Sequence, residues 1–247
     1  MTLRFFWALF LLGTTACRDR GEGSGVAAPP AEEMKPFKCE LEMELNGESY
    51  VARVSFYDQI AVEHDPAQGH AIAAVYSLES RLWDEFSRPR TVTLRECEQW
   101  ASMSRKRSLE SIESSTDEAA KRVAEALLRP NFEVSASEES VTLWNDVIKY
   151  TLTDPLDLDP TQRRRFFDFD RLNAYRKAMT QGQMGPFAQL AVRNELLKRG
   201  FVPGRMEMVM ATGKRELTAT VIAKISEIDE VELENLKAAV DEAMRSR

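Results

Sequence analysis

Phe37-Lys38-Cys39-Glu40-Leu41-Glu42-Met43-Glu44-Leu45 alternates without a break between apolar and charged side chains. Phe37, Cys39, Leu41, Met43 and Leu45 share one side, and Lys38, Glu40, Glu42 and Glu44 share the other. Successive side chains of a strand point to opposite faces, so this period of two describes a strand buried on one face only. Asn46-Gly47 follows, a pair that tolerates the positive φ angles of a tight hairpin turn. Tyr50, Ala52, Val54 and Phe56 then form the buried side of a second strand, paired antiparallel to the first. Shorter strands are expected near residues 60–63, 71–78 and 91–94.

Beyond these strands the period changes. Residues 102–115 are polar, basic and rich in serine, and read as a connection. Ser115 and Glu118 then have capping-box spacing. Ala120, Val123, Ala124, Leu127 and Leu128 recur at helical intervals, and Pro130 stops that helix. Strands follow at residues 131–136, 141–144 and 147–153, the last two joined by Asn145-Asp146. Asp159 suits a helix N-cap, with Pro160 at the first helical position and Gln162 completing the box. On that helix Phe169, Leu172, Tyr175 and Met179 share a face. The next helix starts near Pro186 and ends at Gly200, with Lys198 and Arg199 where the helix dipole favours cations. Met206, Met208 and Met210 alternate, as do Leu217, Ala219, Val221, Ala223 and Ile225, so two strands lie on either side of Gly213. A final helix begins at Asp229, boxed by Glu232, and buries Leu233, Leu236, Val240 and Met244.

Grouped strands and grouped helices imply an α+β fold, with antiparallel sheet and about four helices packed on one side. Residues 36–107 form a β-rich part and residues 108–247 an α+β part, which could be one continuous domain. The formal net charge of -7 gives no electrostatic case for nucleic-acid binding. From Met34 onward roughly 210 residues remain, enough for one large core or two small ones.

The N-terminus carries an address. Arg4 precedes a continuous apolar run, FFWALFLL at residues 5–12, and Gly13-Thr14-Thr15-Ala16-Cys17 closes it with small residues. The run is too short to span a bilayer, so residues 1–16 read as a signal peptide. Small residues directly before Cys17 resemble the lipobox of bacterial lipoproteins, although Thr14 stands where that family usually has an aliphatic residue. The resemblance implies that Cys17 is acylated and becomes the new N-terminus. It further implies a periplasm-facing protein of the cell envelope, with Arg18 in place of an Asp favouring the outer membrane. Residues 17–35, rich in Gly, Ala, Pro, Glu and Ser, have almost nothing to bury and form a flexible tether.

With Cys17 so used, Cys39 and Cys97 remain, and an oxidising compartment would favour a disulfide between them. His64 and His70 flank Asp65-Pro66 and Gly69. This is a weak metal pattern and reads as a hairpin loop, so neither metal nor cofactor is expected. Leu82-Trp83-Asp84-Glu85-Phe86-Ser87-Arg88-Pro89-Arg90 is a loop whose Trp83, Phe86, Arg88 and Arg90 are the residue types of binding surfaces. Arg163-Arg164-Arg165 sits in the first turn of a helix, where cations gain nothing from the dipole. That misfit leaves room for pairing with acids, anionic lipid headgroups or a partner. No GxSxG, HExxH, Walker or CxxC pattern occurs.

The expectation is therefore a non-catalytic envelope lipoprotein, bound to the membrane through its N-terminal lipid and to an unknown protein or envelope component. A carrier of hydrophobic or lipid ligand is the second reading. A thiol hydrolase pairing Cys97 with a histidine is the third.

Overall fold

The strand at residues 37–45 forms, and it lies in the middle of the sheet. A computed structural model describes residues 34–45, 47–65, 69–74, 79–83, 90–181, 186–211 and 216–245. The chain begins with β1 (Phe37–Leu45), β2 (Glu48–Tyr57), β3 (Ile60–Asp65), β4 (Gly69–Ala74), β5 (Glu79–Trp83) and β6 (Arg90–Thr93). Two helices follow, α1 (Leu94–Glu113) and α2 (Glu118–Leu128). Next come β7 (Glu133–Ala136), β8 (Ser140–Trp144) and β9 (Ile148–Pro155), then α3 (Pro160–Gln181) and α4 (Phe187–Arg199). The chain closes with β10 (Pro203–Ala211), β11 (Glu216–Glu227) and α5 (Glu230–Arg245).

These strands form one 11-stranded antiparallel sheet, in the order β6-β5-β4-β3-β2-β1-β11-β10-β9-β8-β7. The pairing of β1 with β11 joins the first six strands to the last five. The boundary at residues 107 and 108 falls inside α1, and the strands on either side of it share hydrogen bonds in the one sheet.

Residues directly opposite each other on paired strands share a face, so the register traces the core. Phe37 lies opposite Phe56, and Cys39 opposite Val54 and Ile225. Met206, Met208 and Met210 lie opposite Leu152, Tyr150 and Ile148. All three methionines are buried, so the methionine strand is core. On the same face Phe56 stacks on Phe37 with ring centroids 4.5 Å apart, and meets Phe169 of α3 edge-on at 5.4 Å.

Helices α1 to α4 occupy this inner face. Helix α5 takes the other: Val240 and Ala243 pack on Tyr57 and Val62, which alternate with the inner residues of β2 and β3. Lys38, on the outer side of β1, bonds to Glu232 of α5 at 2.6 Å. The α+β architecture with a large antiparallel sheet is as expected, with five helices among the described residues where about four were read.

The additional helix is α1. Thr93 and Glu96 form a complete capping box at its start, and only Leu94, Cys97 and Ala101 are buried. The apolar stripe therefore covers its first two turns, and the polar remainder carries no helical period. The N-cap of α2 is Asp117, whose Oδ1 accepts from the backbone of Ala119 and Ala120. Ser115 instead accepts from Asp117 N, so the spacing to Glu118 marks no box. The caps of α3 and α4 match expectation: Asp159 and Gln162 exchange bonds, and Gly200 closes α4 at φ +61. Strand β5 includes Leu82 and Trp83, read earlier as loop.

Replacing Phe56 by Ala removes the ring shared between sheet and α3. The expected loss is about 3–5 kcal/mol, measured as a fall in the urea midpoint at unchanged slope.

Candidate functional site

Among the described residues, one charged side chain of the sheet is buried on its inner face. Glu63 of β3 lies opposite Val54 and is 1% exposed. Two cations of α3 meet it there. Lys177 Nζ lies 2.7 Å from Glu63 Oε1, and Arg176 donates to Oε2. Asn173 Nδ2 donates to Oε1 at 3.1 Å, and Asn173 Oδ1 accepts from Arg176 Nε. Burial by itself would raise the Glu63 carboxyl, but the Lys177 and Arg176 charges and the hydrogen bonds from Lys177 and Asn173 outweigh it and hold it at about 2. The residues fall at i, i+3 and i+4 on α3, so one helical face delivers all three donors.

Three residues before Asn173, Asp170 is equally buried and faces Arg193 of α4. Arg193 Nε stands 3.3 Å from Asp170 Oδ2, without the alignment of a hydrogen bond. Burial raises the Asp170 carboxyl well above its ordinary value, against the pull of Arg193 and Lys177. Burial likewise lowers the Arg193 guanidinium to about 10, with Asp170 and Asp168 opposing. Desolvation thus outweighs the attraction within this pair, and Arg193 is incompletely compensated. Its guanidinium carbon sits 5.3 Å from the centroid of Phe167, over the ring.

Arg193 opens onto a cleft of about 270 Å³ between α3 and α4. From α3 the lining is Pro160, Arg163, Arg164, Phe167, Asp168 and Arg171, one helical stripe. From α4 and its cap it is Arg193, Leu197 and Gly200. Gly200 is required here. A Cβ would stand 2.7 Å from Arg163 Nη1, and the left-handed backbone would be strained besides. Arg171 Nη2 bonds Glu98 of α1 at 2.7 Å, and Arg163 Nη2 donates to the Leu158 carbonyl at 3.1 Å. Among the described residues, Arg163 Nε, Arg171 Nε, and both Nε and Nη1 of Arg193 are buried without a hydrogen-bond partner. A larger groove of about 510 Å³ lies beside α2 and the β8–β9 turn. Its Arg122 and Arg129 are offset there by Glu125, Glu133 and Asp146.

Of the residues singled out in the sequence, Arg163 and Arg164 line the cleft and Arg165 does not. Trp83 ends β5 and Arg90 begins β6, while Phe86 and Arg88 lie outside the described residues, as does Cys17. His64 and His70 are strand residues opposite each other in register, not loop residues. Among the described residues no group of three His, Cys, Asp or Glu side chains is placed to hold a metal ion.

Cys39 and Cys97 carry buried thiols and not the expected disulfide. Cys39 belongs to the middle of the sheet and Cys97 to the first turn of α1, each packed into the apolar core. Burial, then the Asp170 and Glu40 carboxylates, pushes the Cys39 thiol up to about 12. Exposed His64 alternates with inward Glu63 and so lies across the sheet from Cys97.

Phe167, Asp168, Arg171 and Arg193 were missed as site residues. The i, i+3, i+4, i+7, i+8, i+11 stripe from Pro160 to Arg171 was a usable signal. Nothing in the sequence tied it to Arg193.

No protein-family model matches this chain, and no curated protein matches it. Among solved structures, a LolA superfamily protein from Nitrosomonas europaea aligns at 7% identity and a TM-score of 0.30. The alignment covers 81% of this chain and 88% of that one.

Glu63→Gln leaves Arg176 and Lys177 without their carboxylate. The expected loss at neutral pH is about 3–5 kcal/mol. Because the native carboxyl is depressed, its contribution is full above the ordinary value of 4.5 and is lost as pH falls towards about 2. Stability curves of wild type and variant should therefore converge over that window. A constant gap down to pH 2 would remove the ion-pair account.

Proposed function

We propose that this protein is a non-catalytic, lipid-anchored binding module of the bacterial cell envelope, whose ligand occupies the cleft between α3 and α4. The observation that carries the reading is Arg193, 1% exposed, which lines that cleft and whose Nε and Nη1 lack an aligned hydrogen-bond partner among the described residues, Nε facing Asp170 Oδ2 at 3.3 Å. A buried donor left unsatisfied costs about 1–3 kcal/mol. Folded chains rarely keep such groups without a use for them. An anion held in the cleft adds compensating charge beside this buried guanidinium.

The anchored half of the reading rests on residues 1–17 and their lipobox-like end. Residues 18–33 then serve as a tether that holds the domain off the membrane, since Met34 already packs in the core. The non-catalytic half is supported by the burial of both core thiols and by the sheet that lies between Cys97 and His64. Carriage of a lipid or other amphiphile is the second reading. It is favoured by the apolar members of the cleft, Phe167 and the half-exposed Leu197.

Changing Cys17 to Ser should move the protein from the membrane to the soluble fraction, and continued membrane association would overturn the anchor. In the native protein, iodoacetamide should leave Cys39 and Cys97 unmodified until denaturant is added. Rapid alkylation of Cys97 in the folded state would restore the thiol-enzyme reading.

A further inference from the structure

We infer that the α3–α4 cleft binds a phosphoryl group, presented either as a free phosphate compound or as the headgroup of a phospholipid. The inference deepens the binding-module reading above and rests on it.

Four guanidiniums line the cleft, from Arg163, Arg164, Arg171 and Arg193, and Asp168 is the one acid among the lining residues. Their local commitments are partial. Arg171 is held by Glu98 on its outer side and Arg163 by a backbone carbonyl, each through a single Nη2. Arg164 Nε stands 4.0 Å from Asp168 Oδ2, and its side chain is 81% exposed. Arg193 has the unaligned contact with Asp170 already described. The cleft therefore keeps a surplus of positive charge and of N–H donors in a chain whose net charge is negative.

The donor set selects among anions. A carboxylate has one charge and two oxygens, which a single guanidinium satisfies side-on. A phosphate monoester carries up to two charges and three terminal oxygens, so several guanidiniums can share it. Four arginines around one small space match the second geometry. The volume, about 270 Å³, is below that of pockets for drug-sized ligands and suits a headgroup more than a whole lipid. Phe167 lies beneath Arg193, with the guanidinium carbon 5.3 Å from the ring centroid, a cation–π contact that favours the charged guanidinium there. Gly200 gives Arg163 room to lie against the end of α4. Leu197, 48% exposed, supplies an apolar flank at the mouth. That flank is where the glycerol or acyl portion of an amphiphile would leave the cleft.

The test uses the full chain carrying Cys17→Ser, so that it is soluble, with Arg164→Glu and Arg193→Lys in the same background. Arg164 is surface-exposed, so its variant folds even where the buried change at Arg193 does not. The probes are inorganic phosphate, acetate at equal ionic strength, dodecanoate, and vesicles of phosphatidylglycerol or phosphatidylcholine. Phosphate should raise the thermal midpoint in a saturable way and acetate should not. Arg164→Glu should weaken phosphate binding by roughly tenfold or more. A response to phosphate with no vesicle binding assigns a soluble phosphate compound. Arginine-dependent binding to phosphatidylglycerol vesicles, competed by phosphate, assigns a headgroup. No saturable phosphate effect, or one that is unchanged in both arginine variants, overturns the inference. In that case, dodecanoate binding that depends on Arg164 leaves the binding module standing with a different ligand. If no probe depends on either arginine, the cleft reading falls as well.

Discussion

Glu63 reaches from the sheet between Val54 and Ala71 on the neighbouring strands, and Arg176, Lys177 and Asn173 of α3 converge on it. Apolar contacts alone would let a helix slide or roll across such a face at small cost, because dispersion and burial have no direction. A carboxylate bonded to three side chains does not permit this. Any shift of α3 by a fraction of a turn would strand one buried charge, and stranded charges cost several kcal/mol. The contribution of the cluster is therefore position more than stability, since a well-packed apolar replacement could match it in energy. Helix α3 sits where it does because one acid on β3 fixes its rotation.

That rotation decides what the other sides of α3 do. With Asn173, Arg176 and Lys177 turned to Glu63, Phe166 and Phe169 reach the ring of Phe56, which stacks on Phe37. The stripe from Pro160 to Arg171 is then turned towards α4. A helix charged on all sides is ordinarily a solvated one. Here it is buried because its charges divide into two sets, one neutralised by the sheet and the other left facing a cleft. The surplus on the second set is retained at a cost in desolvation, visible in the lowered Arg193 guanidinium and the raised Asp170 carboxyl. Such displaced groups are enriched at sites that bind or react, and structural ion pairs such as that of Glu63 show them too.

Other parts of the architecture serve this arrangement at a distance. The pairing of β1 with β11 makes one sheet of two groups of strands that lie far apart in the chain. It gives the helices a single surface to cover, rather than two small sheets with a mobile joint. Helix α5 closes the outer side over Tyr57 and Val62, which leaves the inner side to the four helices that hold the charged layer. Lys38 and Glu232 tie that outer helix to β1, using the polar side of the same strand whose apolar side forms the core.

Several elements were legible because their signal is local. Strict alternation from Phe37 to Leu45 can only be a half-buried strand. Asp159 with Gln162, and Gly200 at the end of α4, mark helix ends through bonds within a few residues. Arg163 and Arg164 stood out because cations oppose the dipole at a helix start, and both line the cleft. Helix α1 escaped notice because Leu94, Cys97 and Ala101 bury only its first turns, so its polar length has no period to detect. The disulfide expected between Cys39 and Cys97 came from compartment and count, which do not set the geometry of two side chains in a packed core. Local pattern thus determined most of the strands, most of the helices and most of the apolar faces by itself, β5 and the half-exposed Met244 of α5 being the exceptions. Tertiary structure alone decided that Glu63 would meet Arg176 and that Arg193 would join a stripe some thirty residues away. Those meetings depend on how helices rotate on a sheet, and the balance of burial against charge that sets the rotation exists only after the chain has closed.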